Sequence, residues 1–185
     1  MDELHTERLT LRRWRQSDRA PFADVNADPA VMEHFPGVLS REESDAMTDR
    51  IEAHFESHGF GWWVVEVPRE AAFIGFVGLS VPTFEAHFMP AVEIGWRLHQ
   101  TYWGRGFATE GARAALADGF GRLGLEEIVS YTVPANRRSI RVMERVGMRP
   151  DRDGDFDHPR LPEGHRLRRH VLYRLGRDAW TKQDA

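Results

Sequence analysis

The sequence predicts a single α/β domain, of the α+β kind, in which a mixed but mostly antiparallel twisted sheet lies between helices on both faces. Hydrophobic residues make up 41% of the 185-residue chain, which is enough for one core. Segments with a period of two residues alternate with segments of helical period. A run of three strand segments is followed by two strand-to-helix crossings, and this order produces a mixed sheet covered on both faces.

The first half of the chain predicts a strand, two helices and a hairpin. Ser40 and Glu43 form a capping box, in which each side chain satisfies a free amide at the start of a helix. Apolar residues then recur at helical spacing until Gly59, a residue that favours a left-handed helix stop. The predicted elements are a strand at 9–11, a helix from 18, a helix at 41–58, and strands at 62–67 and 73–81.

The second half alternates strands and helices. Gly124 and Gly147 each follow an apolar stripe of helical period, so each is expected to end a helix. The segment Pro150–Gly164 is rich in Asp, Pro and Gly and has no period, so we expect a long ordered loop there. The predicted elements are strands at 92–98, 128–133 and 166–175, and helices at 107–123 and 136–146.

Composition excludes several classes of chemistry. The chain has no cysteine, so disulfide scaffolds, thiolate nucleophiles and cysteine-ligated zinc are excluded. Its one lysine is Lys182, which makes a phosphate-binding or Schiff-base lysine implausible. A formal net charge of -4 argues against a generally cationic nucleic-acid binder. The N-terminal segment lacks the apolar run of a signal peptide and no stretch is long enough for a membrane span, so we expect a cytoplasmic protein.

A glycine-containing loop between a strand and a helix is the most informative segment. Gly104 and Gly106 let backbone amides point into one concavity in front of a helix N-terminus, and this arrangement binds phosphate without lysine. A tight turn between strand and helix explains the same spacing equally well. A dinucleotide-binding fingerprint is disfavoured, because its third glycine position is Thr109 and the segment lies beyond the middle of the chain.

Here the residues resemble a known family. The segment Tyr102-Trp-Gly-Arg-Gly-Phe-Ala-Thr-Glu110 resembles the acetyl-CoA pyrophosphate loop of the GNAT acetyltransferases, and in particular that of the RimJ/RimL-like ribosomal-protein alanine acetyltransferases. The opening 6–12 followed by Asp18, the segment 136–147 and the closing 170–175 match the same branch in order and spacing. The resemblance implies a three-layer GNAT-like acetyltransferase domain over 1–185, with acetyl-CoA as cosubstrate and no metal.

The resemblance also implies cofactor contacts. Trp96, Arg97 and Leu98 stand where the family's strand pairs its backbone with the pantetheine arm. Asn136 stands where an asparagine contacts the pantetheine side, although it is also a good helix N-cap. Gly95 is expected to mark a bulge that splays this strand from the next and opens a slot for the cofactor. The implied pyrophosphate cradle consists of Gly104, Arg105, Gly106, Phe107, Ala108 and Thr109.

The proton-transfer residues depart from the family pattern. Met143 occupies the place of a tyrosine that protonates the departing thiolate in many relatives, and methionine has no proton to donate. Ser139, one turn earlier, matches the branch's serine and is a candidate for that role, or a residue of the helix cap. Tyr131 stands where some relatives carry a carboxylate base. Glu93 and His158 are the other candidate bases, with a paired strand carboxylate and a turn residue as their structural alternatives.

The sequence therefore predicts an N-acetyltransferase that moves an acetyl group from acetyl-CoA to a primary amine by direct attack in a ternary complex. The ill-defined base favours weakly basic acceptors such as a protein or peptide α-amine, and a small-molecule amine is also open. The alternative is a non-catalytic acyl-CoA-binding sensor on the same fold. A third reading, a protein- or RNA-binding module that uses arginine-rich flanks, conflicts with the net charge. We expect a monomer or homodimer without membrane or nucleic-acid partners.

Overall fold

The computed structural model of the protein describes residues 3–182, and within them one mixed sheet forms the centre of the fold. Its eight strands lie in the order β1-β2-β3-β4-β5-β6-β8-β7. All neighbouring pairs are antiparallel except β5 and β6, which are parallel. The strands are β1 Glu3–His5, β2 Thr10–Arg12, β3 Trp62–Val67, β4 Ala71–Ser80, β5 Glu93–Leu98, β6 Glu127–Thr132, β7 Arg149–Asp157 and β8 Arg169–Gly176.

The helices begin and end at the residues that cap them. The hydroxyl of Ser40 accepts from the amide of Glu43, the Glu43 carboxylate accepts from the amide of Ser40, and Gly59 adopts the left-handed conformation after the last turn. Both the predicted capping box and the predicted stop are confirmed. The helices are α1 Arg19–Ala27, α2 Arg41–His58, α3 Phe107–Gly121, α4 Arg137–Arg145 and α5 Arg177–Thr181.

Helices cover both faces of the sheet, as the fold class predicts. Phe76 and Val77 are consecutive in β4, so their side chains point to opposite faces. The ring of Phe76 contacts Phe22 of α1 at 5.9 Å between centroids. On the other face, a Cβ built at Gly111 of α3 would lie 3.3 Å from a Val77 methyl. The helix pair α1–α2 and the helix α3 therefore lie on opposite faces of β4.

A buried ion pair attaches the start of α1 to the sheet. Arg12 of β2 and Asp18 are each 2% exposed, and the guanidinium forms two hydrogen bonds with the carboxylate, at 2.8 and 2.9 Å. Arg12 also donates to Glu66 and to the backbone oxygen of Ala72. The charges are thus fully paired, which is the condition under which ions are tolerated in a core.

Three parts of the structure differ from the sequence prediction. The expected loop Pro150–Gly164 is wrong in its first half, where β7 pairs with β8. As an edge strand it is largely exposed, with a register shift between Asp151 and Phe156, so no period of two is visible in its sequence. Strand β1 and helix α5 are short additions that the periodicity did not predict. No helix among residues 3–182 has the length and apolarity needed to cross a membrane.

Candidate active site

The site begins where β5 and β6 diverge. These strands share one residue pair in register, Glu93 with Val129, and the Ser130 hydroxyl donates to the Ile94 oxygen at 2.9 Å. The expected separation is therefore present. Gly95, however, pairs with Gly78 in an uninterrupted register with β4, so the bulge expected at Gly95 is absent on that side. The gap comes from the loss of pairing beyond Ile94, which leaves one edge of β5 open.

The loop after β5 forms a cradle of backbone amides. Gly104 and Gly106 have φ values of 75° and 84°, a conformation that glycine adopts at little cost. The first helical bond of α3 is donated by Glu110 to Gly106, so the amides before Glu110 have no partner in the helix. A Cβ at Gly104 would meet no atom within 4 Å. The space in front of these amides fits a phosphate group.

A cleft of about 380 Å³ extends from this cradle. Its lining includes the cofactor residues predicted from the sequence, with one exception. The side chain of Arg105 points away and pairs with Glu70 in the β3–β4 turn, with Nη2 and Oε2 2.9 Å apart, so the predicted role of Arg105 in the cradle would fall to its backbone amide. The predicted residues that do line the cleft are Trp96, Arg97, Leu98, Gly104, Gly106, Phe107, Ala108, Thr109 and Asn136.

Sequence reasoning missed the contacts that hold the cradle. Arg8, in the turn before β2, donates through Nε to Glu110 at 2.7 Å and through Nη1 to the Arg105 oxygen at 3.0 Å. The Thr6 hydroxyl donates to the same carboxylate at 2.6 Å. Burial raises the pKa of Glu110, but the hydrogen bonds from Thr6 and Arg8 outweigh it and lower the pKa overall. The matched motifs did contain the residues that make these contacts. Thr6 and Arg8 belong to the opening segment, and Glu110 ends the loop segment.

Helix α4 supplies positive charge to the cleft. Arg138 lies over the ring of Trp103 at 4.5 Å, and the Trp103 indole donates to the Leu98 oxygen at 2.8 Å. Arg138, Arg141 and Arg145 all line the cleft. Amide donors and arginines without a lining carboxylate suit a ligand that carries several phosphates.

A second cavity, of about 570 Å³, lies on the other side of the divergence. It contacts α2, the segment 80–84 after β4, and the segment 158–170. The two cavities share part of their lining, so a ligand in one is within reach of a ligand in the other. The shared residues are His34, Phe35, Trp96, Arg97, Asn136 and Ser139.

Glu93 lies in this second cavity within a small polar network. The Ser80 hydroxyl donates to Glu93 Oε1 at 2.8 Å, and the Tyr131 hydroxyl is hydrogen-bonded to the same carboxyl. Burial raises the pKa of Glu93 in spite of these two bonds. Burial and the neighbouring Glu93 raise the pKa of Tyr131 as well. Tyr131 therefore stays protonated at neutral pH and is a donor to Glu93, whereas Glu93 is a carboxyl group with strengthened basicity.

The other sequence candidates also line the second cavity. Burial, together with the charges of His170 and Arg160, lowers the pKa of His158 to about 4, which makes this imidazole a weak base. Ser139 lies at the junction of the cavities, and its amide donates to the Asn136 side chain at 3.2 Å, so the predicted N-cap is confirmed. Met143 is buried and lines the second cavity.

The two adjacent tryptophans of β3 have different environments. Trp63 is 2% exposed and packs in the core. Trp62 lines the second cavity and stacks on Phe76 with 4.9 Å between ring centroids. Its indole nitrogen is buried and has no hydrogen-bond partner within residues 3–182. Consecutive strand residues face opposite sides of the sheet, so one tryptophan was available to each side.

Comparison with known proteins agrees with this geometry. Residues 8–149 match the family model described as an acetyltransferase (GNAT) domain. The chain is 30% identical over 147 residues to YkkB, an uncharacterized Bacillus subtilis protein, covering 79% of this chain and 84% of the relative. It is also 30% identical over 190 residues to the FsC-acetyl coenzyme A-N(2)-transacetylase of Aspergillus fumigatus, covering 97% and 78% respectively.

A solved structure of a GNAT-family acetyltransferase from Bacillus anthracis superimposes with a TM-score of 0.78 at 25% identity, covering 95% of this chain and 99% of that one. The GNAT fold uses acetyl-CoA as its cosubstrate. The protein belongs to the GNAT family and is an acetyl-CoA-dependent acetyltransferase.

Proposed function

We propose that this enzyme acetylates a weakly basic primary amine, such as an α-amine, by direct attack on acetyl-CoA in a ternary complex. The observation that carries the proposal is the junction of the two cavities at Trp96, Asn136 and Ser139. A cofactor arm that follows the open edge of β5 would present its thioester at this junction. An amine in the second cavity would then lie beside the carbonyl that it attacks.

The residues at the junction and in the second cavity have different proposed roles in the reaction. Free amides along Trp96 to Leu98 are suited to hold the pantetheine arm and polarise the carbonyl. Glu93, with its raised pKa, accepts the proton that the amine loses. The Ser139 hydroxyl is the group proposed to donate a hydrogen bond to the leaving thiolate, since Met143 has no proton to give. The chain has no cysteine, so no cysteine-bound acetyl group forms.

The acceptor class follows from the free energy of deprotonation. At pH 7 an α-amine with a pKa near 7.8 costs about 1 kcal/mol to deprotonate, whereas a lysine amine near 10.4 costs about 4 to 5 kcal/mol. A site whose base is a single carboxylate, Glu93, therefore favours the α-amine over the lysine amine. The motif resemblance to the RimJ/RimL-like branch supports an α-amine too, and both a protein N-terminus and a small amino compound supply one.

A thiol-release assay tests the proposal. Because the protein has no cysteine, all colour from a thiol reagent comes from free CoA. We expect acetyl-CoA to raise the melting temperature and at least one class in a panel of α-amines, peptides and polyamines to release thiol. Binding without release from any amine would favour the acyl-CoA sensor instead. Loss of binding in Gly106→Pro, with the unliganded melting temperature retained, would support the cradle, and unchanged binding would refute it.

A further inference from the structure

We infer that the acceptor carries a carboxylate, which the guanidinium of Arg97 and the indole N–H of Trp62 bind in the second cavity. The inference rests on the proposed function and narrows its substrate class. It predicts acceptors that combine a weakly basic α-amine with a carboxylate farther along the molecule, such as short peptides, in preference to polyamines and to peptides that lack a nearby carboxylate.

The first observation is a buried arginine without a counter-ion. Among the described residues two arginines are buried, Arg12 and Arg97. Arg12 is paired with two carboxylates. Arg97, 7% exposed, has none within residues 3–182: one Nη donates to the neutral Asn26 side chain, and its buried Nε has no partner. Burial lowers the pKa of Arg97 to about 10, so the group stays charged at neutral pH. An unpaired buried charge is costly unless a ligand pairs with it.

The second observation is an unpartnered donor next to this arginine. The buried Trp62 Nε1 also lacks a hydrogen-bond partner in the described part of the chain. It lies over the backbone of β5, 3.5 Å from where a Cβ of Gly95 would stand. Trp62 stacks on Phe76, and the Arg97 guanidinium carbon lies 5.6 Å from the same ring's centroid. Arg97 also lies over the ring of Phe35, at 4.1 Å. Arg97 and Trp62 both line the second cavity, and two N–H donors without partners are suited to the two oxygens of a carboxylate.

The strand register assigns both donors to the acceptor side. Arg97 pairs with Phe76, and cross-strand partners project from the same face. That face carries α1 and α2, whereas α3 and its amide cradle lie on the Val77 face. The Arg97 side chain therefore points away from the helix that forms the cradle. Arg97 lines both cavities, but Arg138, Arg141 and Arg145 also line the cofactor cleft, so cofactor phosphates have arginines other than Arg97.

The charge of the second cavity agrees with an anionic ligand. Its lining contains one acidic residue, Glu93, and three arginines. Arg160 donates to Thr83 instead of a carboxylate, and no described carboxylate forms an ion pair with Arg50 or Arg97. Glu93 is the one carboxylate in the described lining and is assigned to the attacking amine, so the lining offers no second carboxylate for another ammonium group of a polyamine.

The test compares matched acceptors on the full-length protein. Several short peptides that carry a carboxylate near their α-amine are each paired with the matching carboxamide, with spermidine and a peptide amide without carboxylates added, and kcat/KM for CoA release is divided by the fraction of neutral amine. We expect at least one carboxylate to exceed its carboxamide by about 10- to 100-fold, the range for a hydrogen-bonded charged group. Thiol release with no such preference, or with spermidine or the peptide amide as best acceptor, overturns this inference and leaves the proposed function intact.

Substitutions then test which residues bind the carboxylate of the acceptor. Arg97→Met should reduce the ratio of carboxylate to carboxamide activity by about 10- to 100-fold, Arg97→Lys should keep part of it, and Trp62→Phe should lower it by a few-fold. The ratio cancels differences in amine pKa and in the fraction of active protein. Arg41→Met, an exposed arginine on α2, is the control and should leave the ratio unchanged.

An unchanged ratio in Arg97→Met refutes the assignment. If that variant fails to fold, the wild-type ratios and Trp62→Phe decide, and either the absence of a wild-type preference or an unchanged ratio in Trp62→Phe refutes the assignment. If no acceptor of any class releases thiol, the proposed function itself fails.

Discussion

Replacing Glu93 by glutamine tests the proposed proton acceptor. The substitution keeps the side-chain size and leaves an amide oxygen that can still accept from Ser80, now 2.8 Å from the carboxylate. The fold should therefore be retained. General base catalysis contributes about 10²- to 10⁴-fold, which corresponds to roughly 3 to 5 kcal/mol of transition-state stabilisation. We expect kcat to fall by that factor.

The pH profile gives a second readout of the same variant. Burial raises the pKa of Glu93, and a base must be ionised to act. Wild-type kcat should therefore rise with pH through this raised pKa and fall below it. In Glu93→Gln this acid limb should disappear, and the titration of the bound amine should remain. The measurement is CoA thiol release at saturating substrates from pH 5 to 9.

Binding of acetyl-CoA provides the internal control. Glu93 lines the second cavity and not the cofactor cleft, so the dissociation constant for acetyl-CoA should not change. Glu126→Gln, an 83% exposed glutamate before β6, is the matched variant and should behave as wild type. A kcat within about threefold of wild type, or an unaltered acid limb, would refute the role of Glu93 as base.

Three further substitutions probe the fold and the cradle. Asp18→Ala leaves the buried Arg12 charge without its main partner and should cost about 3 to 5 kcal/mol of unfolding free energy in urea titrations; a cost under 1 kcal/mol would contradict the buried pair. Ser40→Ala removes the α2 cap and should cost about 1 kcal/mol in the same measurement. Glu110→Gln weakens the Arg8 contact and should raise the Kd for acetyl-CoA roughly 2- to 10-fold by calorimetry. Because the Glu110 pKa is lowered, the wild-type contact should persist well below neutral pH and weaken only as pH falls through that lowered pKa, whereas the glutamine variant should lack this acid transition.

Local sequence signals were sufficient where neighbouring residues determine the conformation. The capping box at Ser40, the helix stop at Gly59 and the cradle glycines at 104 and 106 all depend on contacts within a few residues. They were predicted and are found. The edge strand β7 was missed because its pairing partner, not its own period, makes it a strand.

The candidate site shows the same contrast between features that depend on neighbouring residues and features that depend on distant ones. All of the predicted cofactor residues except Asn136 lie between Trp96 and Thr109, so a motif could predict them. The direction of the Arg105 side chain was not predictable, because its partner Glu70 lies 35 residues away in the chain. The hydrogen bond from Arg8 to Glu110 joins residues that are 102 positions apart in the chain, so no local sequence pattern could predict it. The role of Trp62 also escaped prediction, because alternation does not say which of two adjacent tryptophans faces a cavity.

The sequence by itself determined the order of helices and strands, the amide cradle and the absence of a cysteine nucleophile. Periodicity, capping and turn chemistry are short-range properties, which explains why they can be read from the chain. Only the tertiary structure decided that Glu93 meets Ser80 and Tyr131, and that Arg97 is buried in the same cavity lining as Trp62 with no carboxylate of residues 3–182 paired to it. Burial and pKa depend on residues that folding brings together from distant parts of the chain, and these two environments set the proposed base and the proposed acceptor.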